Sequence, residues 1–192
     1  MRDDPVLIGP IGAGKSTIAA LLARALERPR RALDDVCFAY YAEIGWDGER
    51  ARRIAERDGG PALHAHLEPF QAHAVERFLA DSARCVFELG AGHSVYDDPV
   101  SFHRVERALA PFEHVILLLP SPDPEESIRV LRERIGATRT EAALAMNEIF
   151  VTHRSNAALA SYTIYTARRT PEQVCDAILA RIVATREPSI LG

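Results

Sequence analysis

Lysine is nearly missing from this chain of 192 residues: Lys15 stands alone, and arginine holds the other 22 basic positions. A chain that uses arginine wherever a generic cation will do, yet keeps one lysine, has a position that needs a compact ammonium on a flexible stem. Cysteine is also scarce. Cys37, Cys85 and Cys175 are unclustered and odd in number, which excludes a zinc spacing or a disulfide framework and leads us to expect a reducing, cytoplasmic setting. No run approaches the roughly 18 apolar residues of a membrane span. The chain opens with Arg2, Asp3 and Asp4 and lacks the apolar stretch of a signal peptide. Basic charge is not in excess either, with 23 Lys and Arg against 27 Asp and Glu, so a nucleic-acid partner is disfavoured. Repeats and low-complexity linkers are missing too. What remains is 47% hydrophobic and 26% charged, the composition of one globular domain large enough to bury a core.

Short apolar runs alternate with helical patterns along the chain. Val6-Leu7-Ile8, Ala32-Leu33 with the preceding arginines, Cys85-Val86-Phe87, Val115 to Leu119 and Tyr162 to Tyr165 are expected strands. Helices are expected from the glycine loop to Leu26, over much of 36–83 with breaks at Gly45, Gly48 and Gly59-Gly60-Pro61, and from Val100 to Ala110. Others are expected from Pro124 to Ile135, Glu141 to Val151 and Pro171 to Ala184, and the tail from Arg186 to Gly192 is expected to be loose. Continuous apolar strands alternating with helices predict an α/β fold with a parallel sheet covered on both faces.

Gly9-Pro10-Ile11-Gly12-Ala13-Gly14-Lys15-Ser16 matches the phosphate-loop pattern G-x-x-x-x-G-K-[ST], with a strand leading in and a helix leading out. Backbone N–H groups of Gly12, Ala13 and Gly14 can turn inward around phosphate oxygens, helped by the helix N-terminus. Lys15 is expected at the β- and γ-phosphates, Ser16 on Mg²⁺ and Thr17 at the α-phosphate. A plain glycine turn capping a helix would not need the one lysine.

Val6 to Leu26, followed by Leu33-Asp34-Asp35, resembles the start of shikimate kinase and its small-molecule kinase relatives. The resemblance continues at Glu88-Leu89-Gly90-Ala91-Gly92, at Arg132-Glu133-Arg134-Ile135-Gly136, and from His153-Arg154-Ser155-Asn156 through Tyr165 to Val174. It implies a three-layer P-loop fold spanning residues 1–192 as a single domain, with a five-stranded parallel sheet in the order 2-3-1-4-5. It further implies a helical substrate-binding region at about 36–83, a lid at about 134–142, and transfer of the ATP γ-phosphate to a hydroxyl with Mg²⁺. The chain departs from that family where it matters for the acceptor. Asp34 and Asp35 are adjacent rather than separated by one residue. Gln71 follows Phe70, where the family has an arginine that grips the shikimate carboxylate. Only Gly90 and Gly92 remain of a three-glycine turn, and Glu88 precedes them. The expected acceptor is therefore a hydroxylated small molecule other than shikimate.

Phosphoryl transfer needs positioning and charge neutralisation more than covalent help. Asp34, at a strand end facing the loop, is the candidate for a Mg²⁺ ligand or for taking the acceptor's proton, with Asp35 as its alternative on the acceptor side. One of the pair is expected to cap the following helix. Glu88 is either a strand-end acid acting near Mg²⁺ or an acceptor contact, and Gln71, Gly90 and Gly92 are acceptor-side candidates. Arg139 and Arg154 are candidates for stabilising transferred charge, and Arg134 for the lid or the adenine. Arg169 with Pro171 resembles an adenine-packing loop. His64, His66 and His73 share one helical stretch without metal-ligand support and are expected on the surface or in the acceptor pocket. ATP and a small acceptor are the expected partners of a monomer or homodimer. The competing functions are a slowly hydrolysing NTP-dependent switch and a nucleotide or nucleoside kinase.

Overall fold

Three consecutive apolar residues cannot all face one side of a strand, because strand side chains alternate. Val6, Leu7 and Ile8 form strand β1 (Val6–Ile8) and all three are fully buried. Val6 and Ile8 enter one hydrophobic core and Leu7 enters a second, so this strand has protein on both faces. The computed structural model describes residues 1–186, and the tail expected to be loose lies outside the described residues beyond that point.

The chain runs from β1 through α1 (Lys15–Ala25), β2 (Arg30–Ala32), α2 (Cys37–Glu43) and α3 (Gly48–Ala80) to β3 (Val86–Glu88). It continues through α4 (Pro99–Leu109), β4 (Val115–Leu119), α5 (Pro124–Ile135), α6 (Glu141–Thr152), α7 (Arg154–Leu159), β5 (Tyr162–Tyr165) and α8 (Pro171–Arg186). The five strands pair in parallel in the order β2-β3-β1-β4-β5, as the sequence led us to expect. Ile116 and Leu118 of β4 pack with α1 and α8 on the Leu7 face, whereas Val115 and Leu117 pack with α3 and α4 on the other. Three layers result, and strand order reverses beside β1, where ligands of such sheets bind outside the carboxyl ends. None of the described helices is long and apolar enough to cross a membrane.

Caps mark most helix starts. Asp47, Asp98, Asp123 and Thr140 each accept backbone N–H bonds at the heads of α3, α4, α5 and α6. Thr170 and Gln173 exchange bonds across Pro171 in a capping box that opens α8. The glycine pair expected to break the long helical region bends it instead: α3 passes through Gly59 at φ 84°, ψ −177°.

Three expectations need correction. The second strand ends at Ala32, and Leu33 opens a 3-10 turn (Leu33–Asp35) that carries Asp34 and Asp35 off the sheet edge. Neither acid caps α2, whose N-cap position is Val36 with no side-chain bond. The third strand slides by one residue to include Glu88, because Glu88 pairs in register with Leu7 and with Ala32. The short helix α7 was not expected at all.

Phe87 of β3 packs edge-on against Phe78 of α3 at 5.4 Å and Phe112 at 5.7 Å. The Arg2 guanidinium covers Phe112 at 4.2 Å while donating to the carbonyls of Leu79 and Ser82. Edge-to-face aromatic pairs add to the area they bury. Phe87→Ala should therefore lower the unfolding free energy by about 3–5 kcal/mol, measured by urea denaturation.

Candidate functional site

Between β1 and α1 the chain turns around a buried ammonium. Lys15 is 8% exposed, and its Nζ donates to the carbonyls of Gly9 at 2.7 Å and Pro10 at 3.0 Å. Burial lowers its pKa to about 8, while the charges of Glu88 and Asp34 pull the other way. Gly14, at φ 99°, occupies the N-cap of α1 without a side-chain bond, which leaves first-turn N–H groups of that helix for an anion. Two side chains from outside the loop hold its shape. Asn147 of α6 accepts the Ile11 N–H through Oδ1 at 2.7 Å and donates Nδ2–H to the Ile11 carbonyl at 3.1 Å. Arg134, at the end of α5, donates to the Gly12 carbonyl at 3.2 Å.

Ser16 opens the first turn of α1 and donates its hydroxyl to Glu88 Oε1 at 2.5 Å. The other oxygen, Oε2, accepts from Arg30 Nε at 2.9 Å and Nη2 at 2.6 Å. This charge-assisted contact between an exposed arginine and a buried carboxylate fixes Glu88 with one oxygen aimed at the serine. The hydrogen-bond partner of Ser16 is thus Glu88, where the sequence named Ser16 and Asp34 for Mg²⁺ and left Glu88 open between Mg²⁺ and the acceptor. A hydroxyl and a carboxylate oxygen are hard donors that suit Mg²⁺, an ion that takes few protein ligands and keeps phosphate oxygens and water for the rest. Among the described residues no group of three or more His, Cys, Asp or Glu forms a denser metal cluster.

Asp34 lies on the other side of Lys15. Its carboxylate rests against Gly90, where any Cβ would collide with it and with the His93 ring. The side chain is 71% exposed, yet it stands in a cleft whose walls strip away part of its bulk hydration. This desolvation raises its pKa, with the Lys15 charge opposing and that of Asp35 reinforcing the shift. His93 Nδ1 is 3.7 Å from Asp34 Oδ1. Burial pushes the His93 pKa down to about 3, so the imidazole is neutral and the contact carries no ion pair. Its Nε2 shares a 2.9 Å hydrogen bond with the Tyr41 hydroxyl. Asp34 and His93 border a cavity of about 310 Å³ between α3, the 3-10 turn Ala91–Ser94 and α6, whose other walls include His64, Leu67, Gln71 and Phe150. Gln71 is buried, and its Nε2 lies so close to Gly92 that only glycine leaves room.

No family model matches the sequence. A curated shikimate kinase from Rhodococcus jostii (strain RHA1) is 35% identical over 95 residues, 48% of this chain and 48% of that protein, so the match spans about half the length of the relative. Among solved structures, a shikimate kinase from Acinetobacter baumannii in complex with shikimate superposes with a TM-score of 0.67 at 18% identity, over 98% of this chain and 97% of its own. A gluconokinase from Sinorhizobium meliloti 1021 gives 0.56 at 13% identity, over 96% and 95%. This is the shikimate kinase-like P-loop kinase fold.

Within that kinase fold the remaining candidates fall into separate places. Asp35 is exposed on the 3-10 turn beside Asp34. Thr17 is exposed on α1, behind the loop. Arg139 is exposed between the 3-10 turn Gly136–Thr138 and α6, in the segment expected to form the lid. Arg169 lines a second cavity of about 360 Å³ with Pro120, Ser121, Tyr165 and Arg168, formed by the loops after β4 and β5. Pro171 begins α8 at the edge of that loop, where the kinase resemblance puts the adenine. Arg154 opens α7. It lines a third cavity with Tyr96, Asp97 and Phe102, which shares no residue with the Asp34 cavity. Sequence reasoning missed Asn147 and gave no role to His93. Neither carries a motif, and each acts across more than fifty residues of chain, on Ile11 and Tyr41 respectively.

Two outcomes follow from this geometry. Because Lys15 loses its proton above about pH 8 in the free protein, affinity for a polyphosphate should fall by up to tenfold per pH unit above that value. Lys15→Met should bind weakly at every pH and flatten the slope, as read by calorimetric titration with tripolyphosphate. The same shift leaves the unfolded chain holding the proton longer than the folded one, so the Lys15 contribution to stability rises between pH 8 and 10.5. Asn147→Asp keeps the bond from Ile11 N–H but loses the donor to the Ile11 carbonyl and adds charge, so it should weaken tripolyphosphate binding more than Asn147→Ala does.

Proposed function

We propose that the protein is an ATP-dependent kinase that moves the γ-phosphate of ATP to a hydroxyl of a small-molecule acceptor other than shikimate. The observation that carries this reading is the position of Asp34. It stands between a phosphate-loop lysine whose charge acts on it and a cavity of about 310 Å³ that the phosphate loop does not fill. A switch protein needs the loop and has no use for a second cavity with an acid at its mouth.

In the proposed reaction, Lys15 and the loop N–H groups hold the β- and γ-phosphates, and the loop after β5 holds the base. Ser16 and Glu88 would hold Mg²⁺, which neutralises phosphate charge when bound. The acceptor hydroxyl oxygen forms the new O–P bond. The bond from the γ-phosphorus to the bridging oxygen breaks, and its electron pair leaves on the β-phosphate of ADP. The hydroxyl proton passes to the Asp34 carboxylate, whose raised pKa brings it nearer to the acidity at which a general base is effective. Arg139 and Arg134, on the segment expected to close, supply positive charge to the transferred group. The match to shikimate kinases and the gluconokinase supports the reaction class, and the neutral Gln71 in the cavity wall argues against shikimate itself.

Incubation with Mg-ATP and a metabolite extract should yield a species heavier by one phosphate, and ADP release should depend on that species. An unchanged rate of ATP consumption with every extract fraction would instead mark a switch. Asp34→Asn should lower kcat by roughly 10²-fold or more with little change in thermal midpoint, because Asp34 is exposed and caps no helix. If Asp35→Asn shows that loss and Asp34→Asn does not, the adjacent acid is the base.

A further inference from the structure

The walls of the Asp34 cavity say what kind of molecule can fill it. Resting on the kinase reading above, the inventory of charge comes first. Neither an arginine nor a lysine is among the lining residues. The two lining histidines are neutral at physiological pH, since burial depresses the pKa of both His64 and His93. Asp34 brings the one negative charge. A carboxylate or phosphate on the acceptor would meet this charge with no cation of its own among the lining residues, in a site that strips its hydration.

The inventory of hydrogen-bonding groups comes second. Gln71 Oε1 is buried without a partner, and an amide oxygen can only accept. His64 Nε2 is 3.2 Å from the Val95 carbonyl, which also only accepts, so Nε2 carries the proton and Nδ1 is left with a lone pair. The polar equipment thus consists of three acceptors, the Gln71 oxygen, the His64 nitrogen and the Asp34 carboxylate, beside one amide donor, Gln71 Nε2 at Gly92. Leu63, Leu67, Met146 and Phe150 supply an apolar wall from α3 and α6. Acceptors and an amide donor on one side and an apolar wall on the other call for a ligand with several hydroxyls, which both donate and accept, and a C–H face.

We propose that the phosphoryl acceptor is an uncharged cyclic polyol, a sugar or cyclitol, whose hydroxyls donate to Gln71 Oε1 and His64 while its C–H face lies on Phe150 and its neighbours. A site with a buried acceptor waiting for a donor rejects analogues that cannot supply one. The absence of a cation among the lining residues rejects those with a carboxylate.

The test measures kcat/KM from ADP release with Mg-ATP and D-glucose or myo-inositol, against D-glucuronate and shikimate, and against D-glucosamine. At least one neutral polyol should exceed the carboxylated and the cationic compounds by tenfold or more. A carboxylated or cationic compound used as well as the neutral ones, or better, overturns the acceptor class and leaves the kinase reading standing. So does the failure of all five while the extract screen still yields a phosphorylated species. Failure of all five and of the screen overturns the kinase reading. Gln71→Leu should cost the neutral polyol tenfold or more in kcat/KM with the KM for ATP unchanged. Gln71→Arg should narrow the gap between glucuronate and glucose by tenfold or more. Unchanged kcat/KM for the polyol in Gln71→Leu also overturns the role of the carboxamide.

Discussion

A buried ammonium has to be surrounded by oxygen, and Lys15 gets its oxygen from the backbone that precedes it. The carbonyls of Gly9 and Pro10 can reach Nζ only if the chain folds back over the end of β1, so the loop's shape and the lysine's burial are one constraint. The rest of the site is arranged around that charge. Glu88 and Asp34 stand on either side of it and both raise its affinity for a proton, yet burial outweighs them. The ammonium is therefore held at a cost that a polyphosphate would relieve, since four or so negative oxygens are a far better partner than two carbonyls. The surrounding fold keeps the two acids apart in role. The fork from Arg30 ties Glu88 to the Ser16 side, while Gly90 lets Asp34 lie down towards the cavity.

How much of this could be read from the residues follows from the range of the interactions. Val115 to Leu119 gives its strand without error because five apolar residues in a row, ended by Pro120, have no other use in a short segment. The phosphate loop was legible for the same reason, being contiguous. Arg30 and Arg31 were expected in the second strand together with Ala32-Leu33, and only its end ran too far, past Ala32. The sheet takes them because a parallel partner at Val86 and Phe87 supplies the ladder, and because the Arg30 head reaches Glu88 rather than water. Propensity lost there to tertiary pairing.

The acids were harder. Adjacent Asp34 and Asp35 look alike in a sequence, and only the 3-10 turn after Ala32 decides which of them faces Gly90. Glu88 was left open between Mg²⁺ and the acceptor because its hydrogen-bond partners, Ser16 and Arg30, lie 72 and 58 residues away. Arg154 stood at a position that resemblance marked as useful, and the start of α7 carries it to another cavity. Gln71, by contrast, was legible as a departure: a neutral residue where the family resemblance implies an arginine.

Two neighbours on α6 touch different halves of the site. Asn147 grips the phosphate loop at Ile11, and Met146 packs against Gly60 at the bend of α3, on the wall of the Asp34 cavity. A short helix that answers to both halves cannot shift for one occupant without being displaced for the other. Whatever free energy the nucleotide gains by drawing α6 inward is then shared with the molecule across the bend, and thermodynamic reciprocity requires the second molecule to return the same factor. Two substrates held by different halves of the site would so come to bind in concert, through one turn of helix.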